Sequence, residues 1–328
     1  MPGEFDLIKR HFSRPVRRAR LGVGDDCALV GVAPGMELAI STDMLVEGVH
    51  FLAGTDAQRL GHKTLAVNLS DLAATGAAPR YATLALALPH QDEIWLAAFS
   101  RGFFGLADAH EVELIGGDTT RGPLTLCVTV FGEVPAGAAI KRSGAQAGDE
   151  IWVSGTLGDA ALGLAHLRGQ VGLTPAQAAY AVARLEAPAA RVALGLALRG
   201  VATAMLDLSD GLAGDLRHVA EASGVDAIVT AAALPLSAQL APAFAALPPE
   251  QRLRWVAGGG DDYELCFTAR PLQHEAVRAA AACCDVAVTK IGNMTDRRGA
   301  LGAIVLVDSA GNPCVPTLSG YDHFGSST

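Results

Sequence analysis

Several short segments of this chain place an aspartate beside glycine, serine or threonine. They are Gly24-Asp25-Asp26, Ser41-Thr42-Asp43, Asn68-Leu69-Ser70-Asp71, Gly116-Gly117-Asp118, Asp207-Leu208-Ser209-Asp210-Gly211 and Gly259-Gly260-Asp261-Asp262. Each adjoins an apolar run, where a carboxylate is costly unless it is paired or bound to metal. Acids that converge also repel each other: at an effective dielectric near 20, two unit charges ~4 Å apart interact by ~4 kcal/mol. A cluster of this kind implies divalent cations that reverse the local sign. Glycine-framed carboxylates are hard oxygen ligands suited to Mg²⁺, so the chemistry indicated is a Mg²⁺-dependent phosphate site. No lysine follows Gly116-Gly117, so this is not a P-loop. A single Gly-Gly-Asp is also an ordinary turn; the repetition is what favours metal.

The elements around these acids read as alternating strands and helices. Residues 3–11 form a short amphipathic helix, and Cys27 to Val30 an apolar strand. Leu38-Ala39-Ile40 is a strand that runs into Ser41-Thr42-Asp43, and His50 follows a turn at Gly48. That imidazole is either packed or at the surface, or it contacts substrate. Residues 56–76 read as a helix with Gly76 as its stop, on which Thr64, Asn68, Asp71 and Thr75 share one face. This polar stripe lines a helix interface or serves a cation. Strands follow over 81–88 and 124–134, with a helix over 94–109 between them; Val112 to Ile115 is a strand end from which the glycines turn to Asp118. Lys141 to Gly148 is polar and punctuated by glycine, which places a domain boundary near it. Arg142 there holds phosphate or is simply solvated.

The second half repeats strand, turn and helix over 151–167. A proline-opened helix starts after Thr174, another at Pro188, and a strand at Ala204 leads into Asp207-Leu208-Ser209-Asp210-Gly211 before a helix over 212–222. Asp210 near that helix start is a candidate cap, whereas Asp207 is not explained by capping. Further strands are expected over 225–230, 263–268, 286–291 and 301–307. The whole is a two-domain α/β protein. Tyr321 and Phe324 near the end either pack or cover a flat heteroaromatic ligand.

The 328 residues suffice for two cores. A net charge of −9, with no long Lys/Arg run, argues against broad nucleic-acid binding; the basic cluster Arg14 to Arg20 reads as a solvated helix end or a dimer contact. The six cysteines show neither Cys-x-x-Cys nor zinc spacing, and four of them read as small core residues. Glu4, Asp6, Lys9 and Arg10 interrupt the first segment, so no secretory signal is expected, and no run approaches the ~20 apolar residues of a membrane span. A reducing cytoplasm fits this composition.

With the segments in order, the chain resembles the bacterial thiamine-monophosphate kinase family, of the superfamily that includes aminoimidazole ribonucleotide synthetase and selenophosphate synthetase. The runs that carry the resemblance are GEFDLI, GVGDDCALV, STDMLVEGVHF, KTLAVNLSDLAATGA, LIGGDTTRGPL, RSGAQAGD, DLSDGL, DDYELCFT and GYDHF, spread from Gly3 to Phe324. The resemblance implies an α/β (α+β), two-domain aminoimidazole ribonucleotide synthetase-like fold. Residues 1–140 would form the N-terminal ATP- and metal-binding and dimerisation domain, its sheet closing a barrel across a homodimer, and residues 141–328 a C-terminal α/β domain. It implies ATP-dependent phosphorylation of thiamine monophosphate to thiamine diphosphate, with Mg²⁺. By motif, Asp26, Ser41, Thr42, Asp43, Asp71, Asp118, Asp207 and Asp210 match metal-binding positions. Gly117, Asp118, Arg142 and Ser209 match nucleotide-binding positions, and His50, Asp261 and Tyr321 substrate-binding ones, with Phe324 the alternative to Tyr321. Asp43, Asp118, Arg142 and Asp210 would carry the catalysis. The family commonly reads Gly-Glu-Asp-Tyr-Glu where this chain has Gly260-Asp261-Asp262-Tyr263-Glu264, so Asp261 reaches one methylene less far.

The expected chemistry is direct in-line transfer of the γ-phosphoryl group to the substrate phosphate. Two rivals stand beside it: a sister ATP-dependent synthetase on the same fold, and a non-catalytic nucleotide-binding module. Selenophosphate synthesis calls for a reactive Cys or Sec near a glycine-rich N-terminus, whereas the first cysteine here is Cys27, behind Asp26. A binding module would not need so long a series of acids.

Overall fold

A computed structural model describes residues 4–297, 299 and 301–314, arranged as two compact units. The first comprises Met1–Leu72 and Ala77–Gly137; the second comprises Ala73–Gly76 and everything from Ala138 onward. The expected Tyr321 and Phe324 lie outside the described residues.

The first unit contains α1 (Glu4–His11), β1 (Met36–Val46), α2 (Ala57–Thr75, its last turn clustering with the second unit), β2 (Ala78–Leu88), α3 (Glu93–Ala109), β3 (Glu113–Arg121) and β4 (Thr125–Pro135). Its sheet has the order β1-β4-β2-β3, with only the β2/β3 pair parallel. A parallel pair needs a crossover, and α3 supplies it. Asp92 starts α3 by accepting from the N–H groups of Ile94 and Trp95, each at 3.0 Å. The helix then buries Phe99 and Phe103. α2 and α3 touch backbone to backbone: a Cβ on Gly102 would lie 1.8 Å from the Gln58 carbonyl oxygen, and one on Gly61 2.0 Å from that of Phe99. Only glycine permits so close a crossing.

Three expectations for this unit are corrected. Cys27 to Val30 is not a strand. Glycines flank the segment, it forms only isolated bridges such as Leu21 to Leu29, and Leu29 and Val30 are exposed. Ser41, Thr42 and Asp43 do not follow β1 but lie inside it, paired residue by residue with β4. Likewise Gly116-Gly117-Asp118 is not a turn, because β3 runs straight through it to Arg121. The irregularity is a bulge: Ala82 faces Leu114 and Thr83 faces Gly116, which leaves Ile115 as the extra residue. The basic segment is tied to the start of β3. Glu113 accepts from the N–H groups of Arg17, Arg18 and Ala19, while Arg14 lies over the Phe104 ring and pairs with Asp108.

The second unit follows with β5 (Glu150–Ser154), α4 (Asp159–Leu167), α5 (Pro175–Glu186), α6 (Val192–Ala197), β6 (Ala202–Asp207), α7 (Leu212–Ser223), β7 (Asp226–Thr230), α8 (Ala241–Ala245), α9 (Pro249–Gly258), β8 (Leu265–Ala269), α10 (His274–Cys283), β9 (Val288–Thr295) and β10 (Ile304–Val307). The sheet order is β10-β7-β9-β5-β8-β6, antiparallel except for β10/β7. One core gathers Ile151 and Val153 of β5, Leu206 of β6, Leu216 of α7, Phe244 of α8 and Ile291 of β9. Thr174 and Gln177 form a reciprocal capping box at the start of α5. The helix expected at Pro188 begins instead at Val192. Of the described cysteines only Cys266 is fully buried; Cys27, Cys283 and Cys314 are exposed, against the expectation of four core positions. No described helix is long and apolar enough to cross a membrane.

Candidate functional site

In the first unit the acids are set by strand alternation. Successive side chains of β1 point to opposite faces, so Ser41, Asp43 and the buried Leu45 share one face and Thr42 takes the other. The Ser41 hydroxyl donates to Asp71 Oδ2 at 2.5 Å, and the Asp43 N–H donates to Asn68 Oδ1 at 3.0 Å. Asn68 in turn donates to the Thr64 carbonyl, and the Thr64 hydroxyl to that of Leu60. The polar stripe on α2 is therefore the partner of β1: Asn68 takes the Asp43 N–H, and Asp71 takes the Ser41 hydroxyl. Thr42 is separated from them. Its hydroxyl meets Thr129 at 2.8 Å on the other sheet face. Asp26 sits in an exposed bend, with its N–H on Asp25 Oδ1. His50 is anchored through Nδ1, which accepts from the Val46 N–H at 3.0 Å; that bond fixes the tautomer and leaves Nε2 as the protonated nitrogen.

Gly117 and Asp118 lie at the far edge of the sheet. Gly117 has φ 152°, and a Cβ there would be 1.8 Å from the Leu84 carbonyl oxygen, so the strand path at this point requires glycine. A cavity of about 50 Å³ lined by Phe12, Leu84, Gly116, Gly117 and Asp118 adjoins it. The sheet register links Asp43 to Val128, Val128 to Leu84, and Leu84 to Gly117. Three strand spacings of about 4.8 Å put roughly 14 Å between the backbones at Asp43 and Gly117. Two aspartates that share one Mg²⁺, bound at about 2.1 Å, need backbones within about 11 Å. Within one chain, then, the Asp43 and Asp118 carboxylates are too far apart to reach a single Mg²⁺.

In the second unit the Asp207–Gly211 turn packs against the segment that precedes β8. The Asp261 N–H donates to the Ser209 carbonyl at 2.9 Å, and the Tyr263 N–H to that of Leu208 at 2.8 Å. Asp207 ends β6, opposite Leu265. Asp210 does not cap α7: the capping position is Gly211, which has no side chain, and the Asp210 N–H is itself held by Asp215 Oδ2 at 3.0 Å. Burial pushes the Asp215 carboxyl up to about 7, against the backbone N–H of Asp210 and the positive charge of Arg142. Arg142 lies near by because Ser223, at the end of α7, accepts from the N–H groups of Gly144 and Ala145. The structure thus joins Asp261 to Ser209 and brings Asp210 and Arg142 to Asp215, a residue that the sequence reading passed over. Asp215 was legible only as an acid in the first turn of an amphipathic helix. A larger cavity of about 490 Å³ in this unit, lined by Trp152, His274, Arg278 and Lys290, contains none of the expected residues.

The expected donors are carboxylate and hydroxyl oxygens, which fit Mg²⁺ rather than zinc. Among the described residues no three His, Cys, Asp or Glu side chains already form a metal cage.

Comparison with known proteins bears on the same residues. Residues 24–134 match the family described as AIR synthase related protein, N-terminal domain, and residues 146–303 its C-terminal domain. The thiamine-monophosphate kinase of Escherichia coli (strain K12) is 47% identical over 329 aligned residues, covering 99% of each chain. Among solved structures, that of thiamine-monophosphate kinase from Stenotrophomonas maltophilia K279a superposes with a TM-score of 0.81 at 46% identity, covering 90% of this chain and 92% of the other. AaThiL complexed with AMPPCP and TMP gives 0.77 at 31% identity, covering 98% and 97%. Two domains in the expected order, with the expected mixed α/β content and likeness along the full length, lead to one conclusion: the chain belongs to the thiamine-monophosphate kinase family, within the AIR synthase related proteins.

Proposed function

We infer that this protein transfers the γ-phosphoryl group of ATP to thiamine monophosphate, giving thiamine diphosphate and ADP. The observation that carries the reading is the match along the entire chain to thiamine-monophosphate kinases, one relative of which was solved with both AMPPCP and TMP.

The residues support direct in-line transfer. The acceptor phosphate is mostly ionised near neutral pH, so no general base is needed, and catalysis rests on positioning and charge. We assign Mg²⁺ binding to Asp26, Ser41, Thr42, Asp43, Asp71, Asp118, Asp207 and Asp210. When bound, Mg²⁺ neutralises and orients the phosphate oxygens. Gly117 lets the β3 backbone approach the nucleotide, and Ser209 and Arg142 hold its phosphates. His50 offers an Nε2–H to the substrate, with Asp261 and Tyr321 as its other contacts. Asp43, Asp118, Arg142 and Asp210 are the groups on which turnover depends. We assign nucleotide and metal binding and dimerisation to residues 1–140, and the α/β partner domain to residues 141–328. A homodimer through the open sheet face accounts for the exposure of Ile40 and Met44, which lie with Thr42 on the side of β1 turned away from α2. Six cysteines free of disulfides suit a cytoplasmic location.

The test is ADP release by the purified protein with ATP and Mg²⁺, comparing thiamine monophosphate, free thiamine and no acceptor. Release with the monophosphate alone, abolished by EDTA, is expected. Release with free thiamine would identify a different thiamine kinase, and silence with all three would overturn the assignment. Radiolabel from γ-labelled ATP should not remain on the protein in the absence of acceptor.

A further inference from the structure

We propose that Arg184 and Arg191, acting through Glu264, are positioning residues that hold the Asp261–Tyr263 loop and, through it, the Leu208–Asp210 turn in their working geometry. The proposal rests on the substrate role assigned above to Asp261.

The loop is held in an unusual path. Asp261 has φ 67° and Tyr263 φ 49°, both in the left-handed region that side chains other than glycine rarely enter. Aspartate tolerates it better than most residues, and tyrosine does not. Each such residue costs on the order of 1 kcal/mol or more and persists only where the surroundings over-determine it. Alternation of the chain through this path sends Asp262 and Glu264 inward, where both are buried.

Glu264 is the anchor. Its carboxylate accepts from Arg191 Nε and Nη2, both at 2.6 Å, from Arg184 Nη2 at 2.7 Å and from the Ser154 hydroxyl at 2.6 Å. The Arg191 contact is a two-point fork that lysine cannot reproduce. The same residue's carbonyl accepts from the Leu208 N–H at 2.8 Å, so one residue ties the arginines to the Asp207–Asp210 turn. The Tyr263 and Asp261 N–H groups add two further bonds to that turn. Asp262 completes the inner side by accepting from the Gly158 N–H at 2.8 Å.

The cluster is poorly arranged for stability alone. Three buried carboxyls (Asp159, Asp262, Glu264) face two guanidinium groups. One oxygen of Asp262 and Nε of Arg184 are buried without a hydrogen-bond partner. Burial, opposed by the Gly158 N–H and reinforced by Asp159, pushes Asp262 well above the usual carboxylate range. A buried ion network is commonly replaceable by apolar side chains at no loss of stability. What an apolar replacement cannot supply here is the directional hold on a strained loop that carries a substrate ligand.

The experiment is a double-mutant cycle on the full-length enzyme with Arg191→Lys and Asp261→Asn, reading KM for thiamine monophosphate, kcat and thermal midpoint. Arg191→Lys keeps the charge and loses the fork. It should lower kcat/KM for thiamine monophosphate by about tenfold, chiefly through KM, since sub-ångström misplacement of a binding group is felt at that level. Because both changes act on one contact, the double variant should be within about twofold of Asp261→Asn alone. Losses that multiply, or an Arg191→Lys enzyme with a lower midpoint but a wild-type KM, would make the network merely structural and overturn the proposal. An Asp261→Asn enzyme with wild-type kinetics would instead overturn the substrate role of Asp261 on which the proposal rests. Should Arg191→Lys fail to fold, Ser154→Ala, which removes a single donor to Glu264, enters the same cycle with the same criteria.

Discussion

At Asp118 the backbone matters as much as the carboxylate. Gly117 takes a path that no L side chain follows, with the Leu84 carbonyl oxygen where its Cβ would stand. Gly117→Ala should therefore destabilise the protein by about 3 kcal/mol, measured by denaturant unfolding, as expected for strain at a special backbone position. Asp118→Asn is different in kind: the side chain is exposed, so its loss should abolish turnover at saturating Mg²⁺ while the thermal midpoint stays within a degree or two. Normal turnover would remove Asp118 from the site. His50→Ala should mainly raise KM for thiamine monophosphate; an effect confined to KM for ATP would place it elsewhere. The identities of these residues were legible from sequence, because acids beside glycine and serine stand out. Their conformations were not. Gly-Gly-Asp reads as a turn in any local scheme, and only pairing with β2, a non-local event, draws it into a strand.

Between elements, the informative contact is α2 against β1. A helix that buries Thr64 and Asn68 would be unstable by composition, yet each group has a partner: the Thr64 hydroxyl donates to the Leu60 carbonyl, and Asn68 accepts from the Asp43 N–H. Asn68→Leu should cost about 1 kcal/mol, because it removes the acceptor of the part-buried Asp43 N–H, and should lower kcat by displacing Asp43. A drop in the thermal midpoint with kcat unchanged would make the stripe purely structural. The periodicity of this stripe was visible in the sequence; its partner strand was not. A second contact carries a pH dependence. Burial pushes the Glu113 carboxyl up, but the backbone N–H groups of Ala19, Arg18 and Arg17 outweigh it and hold the group below the usual range. A lowered folded value means that the clamp is fully in force above the unfolded pKa and is lost as pH falls through the folded one. Hydrogen exchange at Arg17–Ala19, corrected for intrinsic rate, should accelerate in Glu113→Gln at neutral pH and in the wild type only when the pH falls below the usual glutamate range. Equal protection in both proteins at neutral pH would show that other contacts hold the segment.

For the molecule as a whole, the register of the first sheet raises a question that sequence order hides. Asp43 and Asp118 lie on strands at opposite edges of one four-stranded sheet, too far apart to hold the same ion in one chain. Both edges are free of a further strand among the described residues, and the face that carries Ile40 and Met44 is exposed. A homodimer that seats the β3 edge of one protomer beside the β1 edge of its partner would bring Asp118 of one chain to Asp43 of the other, and neither chain would then hold a complete site. Mixing inactive Asp43→Asn and Asp118→Asn proteins under conditions that exchange protomers tests this directly. If the acids act across the interface, half of the dimers are mixed and each holds one intact pair, so activity should recover to about one quarter of wild type. If they act within one chain, every site in the mixture lacks an acid and activity stays at the level of the single variants. Ile40→Lys should then abolish both the dimer, by sedimentation, and the recovery. No recovery in a mixture shown to have exchanged protomers would exclude the shared arrangement and return both acids to separate metal positions in a single chain.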